Sequence, residues 1–333
     1  MKITHVQNDY GIREEALDFP MMSVLSFSYV CNALCPNCPY TNSAIRSDYK
    51  DAKYMAAETF RRIADEVGKH NAWLRISGGG EPMMHPEFLE LMCYAKEKGC
   101  KLGIITNGSM LSEPIAEKLL EIGVEMLEFS VDADNCDDYD IVRKGLSFEK
   151  LVNTIKMVFT KRNAMHSATK IIASAINQKG IDVDRVEQYW LPYVDNFQKR
   201  KYLTWGINAP EHSADDTPYL PPEDRIPCPF IFERLNIDSR GKVMVCGYDI
   251  EANTDMGNVV ETTIQSIWHS KEFEFYRQKH LSRCGDDIEM CKNCPDWKYR
   301  SWQHNYWKLV NNAETQRQSI LNLLDDSGAV DSE

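Results

Sequence analysis

Residues 23–38, Ser-Val-Leu-Ser-Phe-Ser-Tyr-Val-Cys-Asn-Ala-Leu-Cys-Pro-Asn-Cys, decide how we interpret this chain. The first part is rich in β-branched and aromatic side chains, which predicts a strand that ends just before Cys31. Cys31, Cys35 and Cys38 follow with the spacing C-x3-C-x2-C. Three thiolates on one short loop can bind three irons of a [4Fe–4S] cluster and leave the fourth iron open. A zinc knuckle that lacks one ligand is the alternative interpretation.

Strand-like and helix-like segments alternate from residue 22 onward. We predict helices at 55–69, 86–98, 113–122, 148–162 and 183–195, and strands at 23–30, 72–77, 101–106, 126–131, 169–176 and 202–207. Six β–α units in series predict an α/β fold with a parallel sheet, a partial (β/α)6 TIM-like barrel. In such folds the chemistry collects at the C-terminal ends of the strands, where the cysteine loop lies.

The composition excludes several classes of function. The net charge of −12 argues against a broad nucleic-acid-binding surface, and we interpret the basic run 199–201 as a solvated loop. No run of 18 apolar residues is present, so no membrane span is predicted. The N-terminus lacks the apolar stretch of a signal peptide, so we expect a cytoplasmic protein. Eleven cysteines in a reducing compartment indicate metal or redox chemistry rather than disulfides.

A second cysteine group lies near the C-terminus. The spacing Cys228-x12-Gly241-x4-Cys246 is followed by Cys291-x2-Cys294. Four thiolates can close a [4Fe–4S] site, and a Zn(Cys)4 site is the structural alternative. We also predict a β-hairpin from 235–237 and 242–246, and helices at 263–281 and 297–323. The predicted organisation is a core barrel (1–210), a linker (211–227), a small α+β domain (228–324) and a flexible acidic tail (325–333).

The first motif, together with Ser77-Gly78-Gly79-Gly80-Glu81-Pro82, resembles the radical S-adenosylmethionine (SAM) superfamily. The resemblance implies that the cluster cleaves SAM to methionine and a 5′-deoxyadenosyl radical, which abstracts a hydrogen atom from substrate. Backbone carbonyls bared by the glycines, with Glu81 nearby, would receive the SAM ammonium group. Family members commonly place an aromatic or large apolar residue just before the third cysteine; this chain has Asn37 there, and Tyr40 would take its place near adenine. The SAM contacts implied by resemblance are Gly78, Gly79, Gly80, Glu81, Pro82, Tyr40, Asn107, Ser130, Asp132 and Arg143.

The second group resembles the SPASM/twitch extensions of radical SAM enzymes, with one auxiliary [4Fe–4S] cluster. The pattern is similar to 2-deoxy-scyllo-inosamine dehydrogenase and related sugar- or aminoglycoside-modifying enzymes. This resemblance implies oxidation of a secondary alcohol of a carbohydrate- or cyclitol-like small molecule, with the auxiliary cluster as electron acceptor. A flavodoxin or ferredoxin would supply electrons. Only 30 residues precede Cys31, and we expect these to be too few for a leader-peptide-binding module.

Three alternatives stay open at this point. They are a radical epimerase with Cys284 as hydrogen donor, a peptide- or protein-modifying enzyme that includes sulfatase-maturase-like action, and a non-catalytic Fe–S or zinc-binding module. Oxidation of an alcohol also requires a general base. The candidate residues, which the sequence does not rank, are Asp249, Glu233, Arg143 and Tyr248.

Overall fold

A computed structural model of the chain describes residues 15–41, 47–204, 212–214, 224–250, 252–292, 294 and 297. The described part contains one sheet with strands β1 (Met22–Leu25), β2 (Trp73–Ile76), β3 (Lys101–Thr106), β4 (Met126–Ser130), β5 (Lys170–Asn177), β6 (Asn196–Lys201), β7 (Arg234–Ile237) and β8 (Val243–Met244). Their order is β6-β5-β4-β3-β2-β1-β7-β8. All neighbouring pairs are parallel except β7 with β8, which confirms the predicted α/β class.

Helices connect the parallel strands. The described α-helices are α1 (Glu15–Asp18), α2 (Ala57–Lys69), α3 (Phe88–Glu97), α4 (Glu113–Glu121), α5 (Cys136–Val142), α6 (Phe148–Ala164), α7 (Val183–Trp190), α8 (Phe230–Glu233), α9 (Ile264–Trp268), α10 (Lys271–Leu281) and α11 (Glu289–Lys292). In α2, the buried residues Phe60, Ile63, Ala64 and Val67 recur at helical spacing and form its core-facing stripe. Within the described ranges, no helix has the length and apolarity that crossing a membrane would need.

One face of the sheet is apolar and forms the core with the helices. In register across neighbouring strands, Ile76 lies beside Ile104, Ile104 beside Leu127, and Leu127 beside Ile171. All four side chains are fully buried in one cluster with helical residues. Side chains on neighbouring strands in register share a face, so this row defines the helix-covered side.

The opposite face, which we call the polar face, has a different character. Glu128 and Ser130 are two residues apart on β4 and therefore share this face. Ser130 lies in register with Ser174, which in turn lies in register with Gln198. Barrel interiors are usually filled with branched apolar side chains. A row of carboxylate, hydroxyl and amide groups on this face is therefore unusual.

Residues 202–204 of the predicted strand at 202–207 are not in a strand, and residues 205–207 lie outside the described residues. The sixth strand lies at Asn196–Lys201, because Pro192 ends α7 in a short 3-10 turn and the chain extends earlier than the helical pattern indicated. As an edge strand it buries only Phe197 fully, so its polar sequence did not predict a strand. The basic run 199–201 thus belongs to β6 and is not a loop; Lys199 pairs with carboxylates of α7.

The C-terminal hairpin is confirmed, with β7 and β8 joined by a turn that contains Gly241. The predicted helix at 263–281 is broken into α9 and α10, because the Ser270 hydroxyl accepts a hydrogen bond from the Phe273 amide and caps α10. The hairpin also extends the main sheet, since β7 pairs with β1. The domain boundaries stay predictions, and the predicted helix at 297–323 and the acidic tail lie beyond the described residues, save Trp297.

Candidate iron–sulfur and SAM site

The cysteine loop after β1 is tightly turned. The Cys38 amide donates to the Cys35 carbonyl at 3.2 Å, and the Thr41 hydroxyl donates to the Cys38 carbonyl at 2.7 Å. Burial raises the pKa of Cys38 to about 11, and the neighbouring Cys35 and Cys31 thiols add to the rise. The Cys35 and Cys31 sulfurs therefore lie close enough to Cys38 to oppose its ionisation.

Two hydrogen bonds to sulfur indicate that this loop suits a metal cluster. The Ala33 amide points at the Cys31 sulfur at 3.4 Å, and Arg143 Nη1 lies 3.6 Å from the Cys35 sulfur. Donors aimed at sulfur stabilise thiolates, the form in which cysteine binds iron. The donor set therefore fits the [4Fe–4S] cluster that the spacing predicts.

The glycine run packs closely against the chain that leads into the cysteine loop. Gly78 and Gly79 have φ values of +89° and +75°, which glycine adopts readily. A Cβ on Gly79 would lie 2.4 Å from the Ser28 carbonyl oxygen, and one on Gly80 would lie 2.2 Å from the Val30 carbonyl oxygen. These glycines are therefore required for close packing, a role that the sequence interpretation had not assigned to them.

Glu81 is buried and fully engaged by the chain itself. Its carboxylate accepts hydrogen bonds from the Thr106 hydroxyl at 2.7 Å, the Asn107 amide at 2.8 Å and the Met83 amide at 3.3 Å. Burial raises the pKa of Glu81 despite these donors. Its contacts are those of a residue that ties the end of β2 to the end of β3. Pro82, also buried, opens the 3-10 turn that Glu81 caps.

Asn107 links the end of β3 to the cysteine loop. Its side-chain NH2 group donates to the side-chain oxygen Oδ1 of Asn32 at 3.1 Å, and its own Oδ1 accepts from the Ser109 hydroxyl at 2.6 Å. Asn32 in turn donates to Ser109 at 2.8 Å. The three side chains form a closed hydrogen-bonded ring, which fixes the cysteine loop against β3.

Asp132 and Arg143 connect the end of β4 to the same loop. Arg143 Nη2 lies 2.5 Å from Asp132 Oδ2, and the Ile176 amide donates to Asp132 Oδ1 at 2.7 Å. Burial acts to lower the pKa of Arg143, but Asp132 and Cys35 hold it above its ordinary value. Buried Arg143 Nε has no hydrogen-bond partner among the described residues. An unpartnered buried donor at this position fits an anionic ligand group such as the SAM carboxylate.

The remaining predicted SAM contacts occupy different surroundings. Ser130 is half-buried at the end of β4. Tyr40 is half-buried with its ring edge-on to Tyr29, whose ring stacks on Tyr49 at 3.6 Å. Asn37 donates its side-chain amide to Gln178 beyond the end of β5 at 3.3 Å. Asn37 therefore ties the cysteine loop to β5, and Tyr40 extends an aromatic stack beneath that loop.

The four cysteines of the second group line one cavity. Cys228, Cys246, Cys291 and Cys294 surround it, together with apolar residues and His280. Burial raises the pKa of Cys291, and the neighbouring Cys246, Cys228 and Cys294 raise it further. Four thiols around one cavity supply the four ligands that a [4Fe–4S] cluster needs.

The candidate general bases lie in different surroundings. The Asp249 carboxylate accepts hydrogen bonds from the Asn253 amide at 2.7 Å and the Thr254 amide at 3.0 Å, which fold the turn after β8. Tyr248 lines the cysteine cavity. Glu233 is buried beside Arg234 at 3.8 Å. Cys284, the proposed hydrogen donor of the epimerase alternative, is exposed and does not line that cavity.

The polar face contains three charged residues that sequence reasoning missed. Arg200 of β6 donates from Nε to Glu128 Oε1 at 2.9 Å. Burial acts to raise the pKa of Glu128, but Arg200 and then Arg75 of β2 hold it below its ordinary value. The available signal was a charged residue inside each apolar strand, Arg75 in Trp-Leu-Arg-Ile and Glu128 in Met-Leu-Glu-Phe.

Comparisons with known proteins agree with this geometry. Residues 25–166 match the radical SAM superfamily, and residues 228–295 match the SPASM iron–sulfur cluster-binding domain. The chain is 26% identical over 53% of its length to the mycofactocin maturase MftC of Mycolicibacterium smegmatis, and the alignment spans 42% of that protein. The chain thus spans less than half the length of this curated relative.

Two solved structures share the fold. BtrN in complex with AdoMet and 2-DOIA has a TM-score of 0.55 at 17% identity, over 82% of this chain and 92% of BtrN. SuiB of Streptococcus suis, bound to the precursor peptide SuiA, has a TM-score of 0.65 at 16% identity, over 87% of this chain and 73% of SuiB. At such identities the likeness concerns the fold alone.

The two matched domains also define the cofactors. A radical SAM domain implies SAM and a [4Fe–4S] cluster, and a SPASM domain implies auxiliary iron–sulfur clusters. The alternative of a non-catalytic binding module is therefore not supported. The chain therefore contains a radical SAM domain at residues 25–166 followed by a SPASM domain at residues 228–295, an arrangement that is similar to that of radical SAM enzymes with SPASM extensions.

Proposed function

We propose that this enzyme oxidises a secondary alcohol of a carbohydrate- or cyclitol-like small molecule. In this proposal Cys31, Cys35 and Cys38 hold the SAM-cleaving cluster. The second cysteine group holds one auxiliary [4Fe–4S] cluster that accepts an electron. A flavodoxin- or ferredoxin-type protein supplies the electron that SAM cleavage consumes.

The polar face is the observation that carries the proposal. Arg75, Glu128 and Arg200 form a charged group on it, and Ser174 and Gln198 add hydrogen-bonding groups beside them. A molecule with many hydroxyl groups needs alternating donors and acceptors along its binding surface, and this face offers both. An apolar substrate would leave these buried polar groups unsatisfied, which costs binding energy.

The residues around the cysteine loop act by positioning. Glu81, Asn107 and the Asp132–Arg143 pair fix the ends of β2, β3 and β4 against the loop. Arg143 Nε would bind the SAM carboxylate, and the polar face would orient the alcohol below it. Holding the reacting groups in one geometry is the main contribution of a protein to cofactor chemistry.

When bound at Cys31, Cys35 and Cys38, the cluster and SAM would supply the radical chemistry that removes a hydrogen atom from the carbinol carbon. The cluster held by the second cysteine group would take up the remaining electron, and a base of this chain would accept the hydroxyl proton, so that the alcohol is released as the ketone. Glu128 is ionised because of its arginine neighbours, and we assign this carboxylate of the polar face as the proton acceptor.

Support from the comparisons is divided between two substrate classes. BtrN was solved with AdoMet and 2-DOIA, and this chain spans 92% of its length. MftC, in contrast, is named a maturase, and SuiB was solved with a precursor peptide. Modification of a peptide is therefore the second candidate function, and it needs the same polar face to bind backbone amides.

A substrate screen with isotope tracing tests the proposal. The reconstituted enzyme is incubated with SAM, a reductant and cyclitols or sugars deuterated at single carbinol carbons, and parallel reactions contain peptides. We expect deuterium in 5′-deoxyadenosine and one equivalent of ketone from one alcohol. Deuterium transfer from a peptide, with none from any alcohol, would replace the proposal with the second candidate.

A matched pair of variants tests the polar face. Gln198→Leu removes a side chain whose Oε1 has no hydrogen-bond partner among the described residues, and we expect a KM raised about tenfold, the equivalent of one lost hydrogen bond. Gln265→Leu makes the same change on α9, where the amide contacts Asp18 at the surface. An equal KM in both variants would place substrate elsewhere.

A further inference from the structure

The wall of the second cysteine cavity contains a buried histidine with a specific orientation. His280 belongs to α10, is 3% exposed and lines the cavity together with the four cysteines. The Cys228 amide donates to its Nδ1 at 3.2 Å. An imidazole nitrogen that accepts a hydrogen bond carries no proton, so in the neutral ring the proton sits on Nε2.

The Nε2–H group has no partner in the described part of the chain. It is buried, and no hydrogen-bond acceptor among the described residues reaches it. Buried donors are almost always satisfied, and an unsatisfied one destabilises the fold. Among the described residues, the cavity wall therefore contains an N–H donor without an acceptor. A ligand bound in the cavity has to supply that acceptor.

The ring is held in place by its neighbours. Its centroid lies 4.8 Å from that of Trp297, whose indole N–H donates to the Ile226 carbonyl at 2.8 Å. Trp297 is itself seated against Gly285, where a Cβ would lie 2.6 Å from the indole. With one nitrogen tied to Cys228 and one ring face against Trp297, His280 has little freedom to turn its second nitrogen away.

We propose that His280 donates a hydrogen bond from Nε2 to a sulfur of the auxiliary cluster and raises its reduction potential. This proposal rests on the assignment of the four cysteines to that cluster. A hydrogen bond to cluster sulfur stabilises the reduced form, whose sulfurs carry more negative charge. An auxiliary cluster with a raised potential is a better electron acceptor, which is the role that the proposed alcohol oxidation requires.

Direct ligation of iron is the competing role for His280. Four cysteines already supply the ligands that a [4Fe–4S] cluster needs. Nε2, the nitrogen without a partner among the described residues, carries the proton, whereas a ligating nitrogen must present its lone pair. Geometry therefore favours the donor role, and the two roles predict different cluster contents when His280 is replaced.

The test measures the potential of the auxiliary cluster alone. Full-length protein with Cys31, Cys35 and Cys38 replaced by Ala is reconstituted and titrated with mediators while the cluster is followed by electron paramagnetic resonance. In that background His280→Phe removes the donor, and His280→Gln keeps a donor near the same place. Met290→Leu alters the same cavity wall without removing a donor and is the matched control.

We expect His280→Phe to retain about four irons and to show an about tenfold lower ratio of reduced to oxidised cluster at a fixed potential. For a one-electron couple this equals a shift of about 59 mV to more negative values. His280→Gln should recover most of the shift, and Met290→Leu should show none. An unchanged potential in His280→Phe at full iron content would overturn the proposal.

Two further outcomes separate the remaining possibilities. Loss of the cluster in both His280 variants, but not in Met290→Leu, would overturn the donor role in favour of ligation. A parent protein without about four irons would instead refute the cluster assignment itself. If His280→Phe does not fold, pulsed spectroscopy of the unsubstituted cluster decides: weak coupling to an exchangeable proton and to 15N-histidine supports the proposal, and no coupling overturns it.

Discussion

Replacement of Glu81 by Gln tests how the glycine–glutamate segment after β2 works in this chain. The Glu81 carboxylate accepts three hydrogen bonds, from the Thr106 hydroxyl and from the Asn107 and Met83 amides. A hydroxyl can reverse its direction, but a backbone amide cannot. A glutamine NH2 group therefore leaves at least one backbone amide without an acceptor.

The size of the effect follows from that single lost bond. A hydrogen bond to a charged group contributes about 1.5–3 kcal/mol, and its loss here weakens the segment that ties the end of β2 to the end of β3. If all of this free energy appears in the affinity for SAM, the dissociation constant rises by about 10- to 150-fold. We expect a value within this range.

Anaerobic titration calorimetry of SAM binding to reconstituted protein is the assay. Glu90→Gln is the control, because it makes the same chemical change at an exposed carboxylate of α3 that pairs with Arg61. Variants are compared at equal iron content, so that a lost cluster is not mistaken for lost affinity. Equal dissociation constants for Glu81→Gln and Glu90→Gln would refute the reasoning.

Three other changes have calculable outcomes. Asp195→Ala leaves the Arg162 guanidinium buried without the carboxylate that it contacts at 2.7 and 2.8 Å. We expect urea denaturation to show that the free energy of unfolding falls by about 3–5 kcal/mol. Gly285→Ala pushes a Cβ against Trp297 at 2.6 Å, so the iron content should fall by the auxiliary cluster's about four irons. Glu128 has a pKa below its ordinary value of 4.5, so its stabilisation is complete above that pH and is lost as the pH falls. The difference in unfolding free energy between wild type and Glu128→Gln should therefore narrow below about pH 4.5.

A specific result would contradict each of these three predictions. Asp184→Ala, at an exposed pair with Lys199, should cost no more than about 1 kcal/mol, and an equal cost at Asp195 would remove the burial argument. Full iron content in Gly285→Ala would show that Trp297 yields without affecting the cavity. A Glu128→Gln difference that widens in acid would mean that the carboxylate is destabilising in the fold.

Much of the fold was predictable because local pattern and tertiary position agree. The strand at Lys101–Thr106 has the predicted boundaries, since a buried parallel strand flanked by glycine and asparagine turns is distinctive in sequence. The strand at Asn196–Lys201 was missed because an edge strand needs only one apolar side chain. The pairing of β7 with β1 was also missed, because strand partners far apart in sequence leave no local signal.

The candidate site, like the fold, could be predicted from the sequence only in part. Spacing predicted that Cys31, Cys35 and Cys38 share one tight loop, because ligands on a short loop are close in sequence. The convergence of Cys228, Cys246, Cys291 and Cys294 on one cavity depends on the fold, because these cysteines are far apart in sequence. The roles of Glu81 and Arg143 depend on contacts with Asn107 and Asp132 from other strands, which spacing does not encode. Glu128 and its arginine partners come from three strands, so only the register of the sheet brings them together.

Iron content and SAM cleavage, measured together, test the central claim most directly. Wild type, a Cys31/Cys35/Cys38→Ala variant and a Cys291/Cys294→Ala variant are reconstituted anaerobically and assayed for 5′-deoxyadenosine with dithionite and SAM. The account predicts about eight irons in wild type and about four in each variant, with SAM cleavage lost only in the first. A fully loaded wild type that leaves SAM intact, or a first variant that still cleaves it, would contradict the account.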